Sequence, residues 1–254
     1  MTNIKTNLWR GHFEFAKINI HGLFGKGGCC IMTFDEAIRE RHKVTIYKKK
    51  DVPADVVKQL NERIKALNEG LDIHMSLVTN DASALNAAVR IAVTKNVNNY
   101  IVLSGKNEPD LEEKLGYGGA DIMLFAQTLG LNTWWVSEQF NKGNARDKGG
   151  VPGTNLIKGI IIFGYGENQG VPHKSKNSVD VSKYTGGTPP FWFIRGVGSA
   201  LLAPTAMNRQ AFRIEGHNNK VSITYAKGKY SGLELGIIKY FFEIGAGREN
   251  FTYE

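Results

Sequence analysis

Two helix-like segments, ending at Gly130 and Gly245, carry the same spacing of apolar residues, and this recurrence constrains the architecture more than any other feature of the chain. Superposing the two glycines, a shift of 115 residues from 130 to 245, places Ile122 on Ile237, Phe125 on Tyr240 and Leu129 on Ile244. Such a stripe must bury one face against other elements. Each copy also follows a helical pattern and two strand-like runs. The chain therefore reads as an internal duplication with pseudo-repeats at about 33–140 and 156–254. At 254 residues it has room for one large domain or a fused pair.

The other elements are read from spacing and punctuation. Thr33 followed by Glu36 forms a capping box, which predicts a short helix carrying Arg39 and Arg41. After Pro53 the apolar residues Val56, Val57, Leu60, Ile64 and Leu67 predict a helix closed by Gly70. Strand-like runs at 73–78 and 100–103 flank a helical pattern over 82–93. A helix from Pro109 or Gly118 to Gly130 leads into a strand over 131–136. Residues 141–155, rich in Gly, Asn and Lys, read as a mobile loop, 160–163 as a buried strand and 164–188 as a loop. A helix after Pro189-Pro190 runs to about Leu202, and Ala203-Pro204 breaks it. Alternating runs at 211–215 and 220–225 predict a hairpin, and a last helix covers 232–245. The sum is an α+β chain. Residues 1–32 differ in texture and form an N-terminal extension of unreadable role, in which Phe13, Phe15, Ile18 and Ile20 could make a short strand.

Composition narrows the class. With 42% hydrophobic and 22% charged residues the chain is an ordinary globular protein, neither disordered nor a disulfide scaffold. No uncharged apolar run approaches the roughly 20 residues of a membrane helix. Met1–Arg10 lacks an apolar core with a cleavage site, so the cytoplasm is the expected compartment. Cys29 and Cys30, adjacent and alone, read as reduced thiols. The charge of +8 invites a nucleic-acid reading. Its one dense run, Lys48–Lys50, sits beside a turn, however, and no nucleic-acid motif accompanies it.

Three constellations could carry chemistry. Arg41, His42, Lys43 and Thr45 combine cations with a hydroxyl, as phosphate recognition requires. Solvated charges at a helix end would use the same residues. The segment 203–210 (Ala-Pro-Thr-Ala-Met-Asn-Arg-Gln) predicts a capped one-turn helix. It would aim the amides of Asn208 and Gln210 outward, where a heterocycle edge could use both donor and acceptor. An ordinary capped turn is the plainer reading. The run 131–138, with Trp134 and Trp135, offers aromatic surface and backbone amides. Neighbouring strand residues face opposite sides, so at most one Trp is expected to line a site. A basic loop at His173–Lys176 follows the 160–163 strand.

Together these segments resemble the FMN-dependent nitroreductase family. Arg41–Tyr47 is similar to its basic phosphate motif, 129–133 with Trp135 to its helix-to-strand stretch, and 203–210 to its proline, asparagine and glutamine motif. The resemblance covers about residues 33–254. In common members the Pro/Asn/Gln motif follows the basic motif within a few dozen residues. Here it waits until residue 204, which resembles a single-chain subgroup whose duplicated chain imitates the usual homodimer.

The resemblance implies a three-layer α-β-α sandwich holding one FMN. It assigns the phosphate to Arg41, His42, Lys43 and Thr45, assisted by Lys174 and Lys176. Lys43 replaces a common Ser and Thr45 a common basic residue, so phosphate contacts are redistributed. The ring falls to Pro204, Thr205, Ala206 and Asn208, and Val136, Ser137 and Glu138 lie near its hydride-accepting atom. The implied activity is ping-pong electron transfer from NADH or NADPH to a small-molecule acceptor such as a nitroaromatic or quinone. The flavin carries the chemistry, so neither a catalytic side chain nor a metal is expected, and a monomeric pseudo-dimer or weak homodimer suffices. The alternative is a flavin-binding sensor or store without turnover.

Overall fold

Thr33 and Glu36 form the expected reciprocal cap. The Thr33 hydroxyl accepts from the Glu36 N–H at 3.3 Å, and the Glu36 carboxylate accepts from the Thr33 N–H at 2.7 Å. This cap launches helix α1 (Phe34–Glu40). The computed structural model describes residues 32–254, so the extension's expected strand and Cys29–Cys30 lie outside the described residues.

The first sheet follows. Helix α2 (Ala54–Leu71) buries Leu60, Ile64, Leu67 and Leu71, as its spacing predicts. Then come β1 (His74–Thr79), α3 (Ala87–Ala92), β2 (Asn99–Gly105), α4 (Leu111–Thr128), β3 (Asn132–Val136), α5 (Lys142–Gly149) and β4 (Leu156–Gly164). The strands pair antiparallel in the order β1-β2-β4-β3. Both faces are covered. Ile101, Leu103, Ile161 and Phe163 meet α2 and α4, whereas Tyr100, Val102, Ile160 and Ile162 meet the side that holds Ala145 of α5. Burial on both faces explains why β2 and β4 are continuous apolar runs. Around this sheet the α-β-α order is present.

Three local expectations differ. Residues 141–155 hold a helix, α5, because Asn141 caps it by accepting from the Asn144 N–H at 3.0 Å. The helical pattern at 82–93 shrinks to α3, since Asp81 ties down Ser83 and Tyr100 ahead of it. The 164–188 segment ends in α6 (Ser178–Val181) and β5 (Ser182–Thr185), where Tyr184 finds a partner strand.

The second sheet has the order β5-β6-β7-β8. The predicted hairpin, β6 (Phe212–His217) and β7 (Lys220–Tyr225), forms its centre, and β5 and β8 (Thr252–Tyr253) pair parallel at the edges. Before it lie α7 (Phe191–Ala200) and a 3₁₀ turn over Ala206–Asn208, and after it α8 (Ser231–Ala246). In this sheet the burial alternates: Phe212, Ile214 and Gly216 face α7 and α8, while Glu215 and His217 are exposed.

Helices α4 and α8 run against each other at the centre. A Cβ on Gly116 would stand 2.0 Å from the Leu233 carbonyl oxygen, and one on Gly236 2.0 Å from that of Glu113, so the backbones meet where no side chain fits. The aligned glycines have different positions. Gly130 follows α4 with φ +77°, whereas Gly245 lies inside α8 and Gly247, φ +75°, ends that helix. Beside the crossing, Arg63 of α2 donates to Asp121 of α4, from Nε at 2.7 Å and from a second nitrogen. The Tyr240 hydroxyl of α8 donates to the same carboxylate at 2.7 Å.

Candidate functional site

A cavity of about 430 Å³ lies along the outer edge of β3. Arg41, Lys43 and Thr133 form one wall and Pro204–Met207 the opposite one. The run from Trp134 to Gln139 lines it between them, and Met123 of α4 with Leu233, Glu234 and Ile237 of α8 contributes the helical side. The close crossing of α4 and α8 brings those residues together. Two stretches more than 160 residues apart in sequence, Arg41–Lys43 and Pro204–Ala206, thus share one cavity.

The cationic wall arises where α1 ends. Arg41 takes the cap position with extended backbone (φ −75°, ψ 114°), and the chain then pairs alongside Thr133 through a bridge at Lys43. This turn drives Arg41 inward, to 4% exposure. Its Nε has no hydrogen-bond partner, and no carboxylate pairs with it among the described residues. Burial pushes its guanidinium down to about 10. Thr133 Oγ1 is likewise buried without a partner. Lys43 is exposed, with Nζ 5.6 Å from the centre of the Trp134 ring. A buried cation and a buried hydroxyl, both unanswered, are costly unless something anionic completes them.

The opposite wall is satisfied. Glu234 accepts from the Ala206 N–H at 2.6 Å, fixing the 3₁₀ turn to α8, and burial raises its carboxyl despite that bond and the nearby Tyr225 and Arg209. Here the expected orientation of the amides is corrected. Asn208 and Gln210 do not present free amides to the cavity; both donate to the Lys174 carbonyl, at 2.7 and 3.0 Å. Gln210 is buried, accepts from the Lys176 N–H at 2.9 Å and receives no ligand-facing position. Lys174 and Lys176 therefore stand behind this wall, and the Lys176 ammonium donates to the Gln210 carbonyl at 3.0 Å. The physical reason is that the 173–176 loop needs partners for its own backbone, and these amides are within reach. Met207, Asn208 and Gln210 all take positive φ, between 44° and 54°, to make the turn.

The remaining predicted residues divide. Val136, Ser137 and Glu138 line the cavity, and the Glu138 carboxylate pairs with Lys229. His42 and Thr45 do not line it. His42 packs toward Gly170, and its ring is lowered by burial, by Arg41 and by His173. Both tryptophans reach the cavity, not one, because β3 is an edge strand and the cavity follows its edge, where both faces are accessible. Trp135 also lies over Gly119, where a Cβ would stand 2.5 Å from the ring, and its indole donates to Ser137 at 3.0 Å. Glu234 escapes sequence reading, and a lone acid in the apolar run 233–238 is the one signal that could have found it; Thr133 falls in the run 131–138, read there for its backbone and tryptophans and not for its hydroxyl.

A family model described as "Putative TM nitroreductase" matches residues 33–246. The chain belongs to this nitroreductase family. Nitroreductases are oxidoreductases, and the chain is an oxidoreductase by kind. A "putative nitroreductase" from Thermotoga maritima MSB8 shares this nitroreductase fold at a TM-score of 0.65, with 18% identity over 88% of each chain. An FMN-dependent nitroreductase from Clostridium difficile R20291 aligns at 18% identity and a TM-score of 0.43, covering 57% of this chain and 92% of that one. A nitroreductase family protein from Streptococcus pneumoniae TIGR4 aligns at 11% and 0.49, covering 59% and 98%. Among curated proteins none matches the sequence. Among the described residues no helix is long and apolar enough to cross a membrane.

Proposed function

We propose that the chain is a cytoplasmic FMN-dependent oxidoreductase that passes electrons from NADH or NADPH to an electron-poor small molecule, such as a nitroaromatic or quinone, in ping-pong order. The observation that carries this reading is Arg41, a guanidinium buried without a counter-charge at the wall of a cavity that Lys43 shares. A phosphate monoester supplies the missing charge, and a volume of about 430 Å³ is within the usual range for small-molecule sites.

FMN, when bound, supplies the two-electron chemistry linking donor to acceptor. The chain's residues bind, orient and exclude water. Arg41 and Lys43 hold the phosphate, with the Thr133 hydroxyl available as a further contact. Trp134 and Trp135 offer apolar faces to a ring. Backbone groups of Val136, Ser137 and Glu138 position one ring edge, and Pro204, Thr205 and Ala206 confine the other. Met123, Leu233 and Ile237 keep the helical side dry. Asn208, Lys174 and Lys176 act at one remove by holding the 3₁₀ turn, and His42 and Thr45 set the path of the cationic segment. In the same reading the halves at about 33–140 and 156–254 descend from a duplication. Each donates one wall, so a monomer, or a weak homodimer, is the working unit.

The visible spectrum of the purified protein, before and after anaerobic NADH or NADPH, tests this. A yellow protein that bleaches and regains colour with a quinone is the expected result. A yellow protein that neither nucleotide bleaches would point to a passive flavin carrier. A colourless protein that takes up no added FMN would end the flavin reading.

A further inference from the structure

A second cavity, of about 390 Å³, lies where β4 ends and β2 begins, and is lined by Lys48, Lys49 and Lys50. The backbone that carries these lysines is held in place. The Tyr47 N–H donates to the Lys95 carbonyl at 2.9 Å, the Lys48 N–H to that of Tyr165 at 2.8 Å, and the Asn96 amide to that of Tyr47 at 2.8 Å. Lys50 Nζ stands 4.0 Å from the centre of the Tyr165 ring. None of the three has an ion-pair partner among the described residues, although other lysines do. Asp51, the single acid of the lining, makes no pair with them either. Three ammonium groups without a carboxylate partner, around a polar hollow, complement a dianion.

The two cavities are neighbours. Thr133 lines the first and Phe163 the second, and these residues pair directly across β3 and β4, one strand spacing of about 5 Å apart. The same extended segment supplies Lys43 to the first and Tyr47 onward to the second, four residues or about 13 Å along a strand. A ligand with its reactive ring at the first cavity and a phosphate on an arm can therefore reach both.

We propose that the lysine-lined cavity receives the phosphate-bearing adenosine end of the nicotinamide donor, and that it selects NADPH over NADH. This rests on the flavin reading above. NADPH differs from NADH by one phosphate monoester on the ribose, the group that Lys48–Lys50 complement, while Arg41 and Lys43 are committed to the flavin phosphate.

Calorimetric titration of the FMN-loaded protein with NADP⁺, NAD⁺ and adenosine 2′,5′-bisphosphate tests it. In K48A/K49A/K50A the affinity for NADP⁺ and for the bisphosphate falls about tenfold or more, and that for NAD⁺ by about twofold or less. The control K58A/K65A/K106A removes the same charge from exposed sites on and near α2 and leaves all three affinities near their original values. An equal loss for NAD⁺, or an equal loss in the control, would show a diffuse field and overturn the inference. So would a protein that retains FMN and binds NADP⁺ and NAD⁺ alike. A protein that takes up no FMN overturns the flavin reading itself, and the donor assignment with it.

Discussion

Two arginines of the described residues, Arg41 buried and Arg63 half-buried, are held in opposite ways. Arg63, at the junction of α2, α4 and α8, faces Asp121; burial works against its charge, but the carboxylate and the Tyr240 hydroxyl beside it override that cost and raise its pKa. Arg41, at the cavity wall, has burial without a carboxylate, and its pKa falls. The same side chain thus serves as a completed internal pair in one region and as an unanswered charge in the other. A folded chain keeps an unanswered buried charge at a cost, and a ligand that supplies the counter-charge removes it.

The largest effect should come from breaking the completed pair. Asp121→Ala removes the buried carboxylate that both the half-buried Arg63 and the Tyr240 hydroxyl donate to, and should lower unfolding free energy by about 3–5 kcal/mol in urea titrations. A loss below about 1 kcal/mol would mean that the junction does not depend on the pair. Arg41→Met should behave oppositely. Without ligand its stability should equal or exceed that of the parent, while its FMN dissociation constant, followed by flavin fluorescence, rises about 10–100-fold. Unchanged FMN retention would remove Arg41 from the phosphate site and dissolve the contrast.

The smallest effect concerns the opposite wall. Burial raises the Glu234 carboxyl in the folded state, so between its unfolded and folded values the native protein binds more protons. Stability from this group is therefore greatest in acid and declines as pH rises out of the ordinary carboxylate range, remaining reduced above the folded value. Glu234→Gln should flatten that decline while retaining an acceptor for the Ala206 N–H. Parallel slopes for parent and variant in denaturant midpoints against pH would contradict it.

Much of the fold was legible because its signals are local. The Thr33–Glu36 cap, the apolar stripe of α2, the β6–β7 hairpin and the helix broken at Ala203-Pro204 each depend on a few neighbouring residues, and each is where the pattern puts it. Helix α5 was missed for a related reason: its cap is one Asn141 side chain within a polar, glycine-rich run that resembles a loop. The candidate site was legible only in its parts. Composition and spacing marked Arg41, Lys43 and Pro204–Ala206 as chemically unusual, but not that Asn208 and Gln210 would spend their amides on the Lys174 carbonyl.

By itself the sequence determined most of the longer elements, the family pattern and the presence of one cationic and one amide-bearing segment, because propensity, capping and periodicity act over a few residues. The tertiary structure alone decided which cations are paired, which amides are free and that the two segments share a cavity. Those outcomes depend on contacts between residues far apart in the chain, such as the glycine-mediated crossing of α4 and α8. No local pattern encodes the counter-charge that a buried side chain finds or lacks.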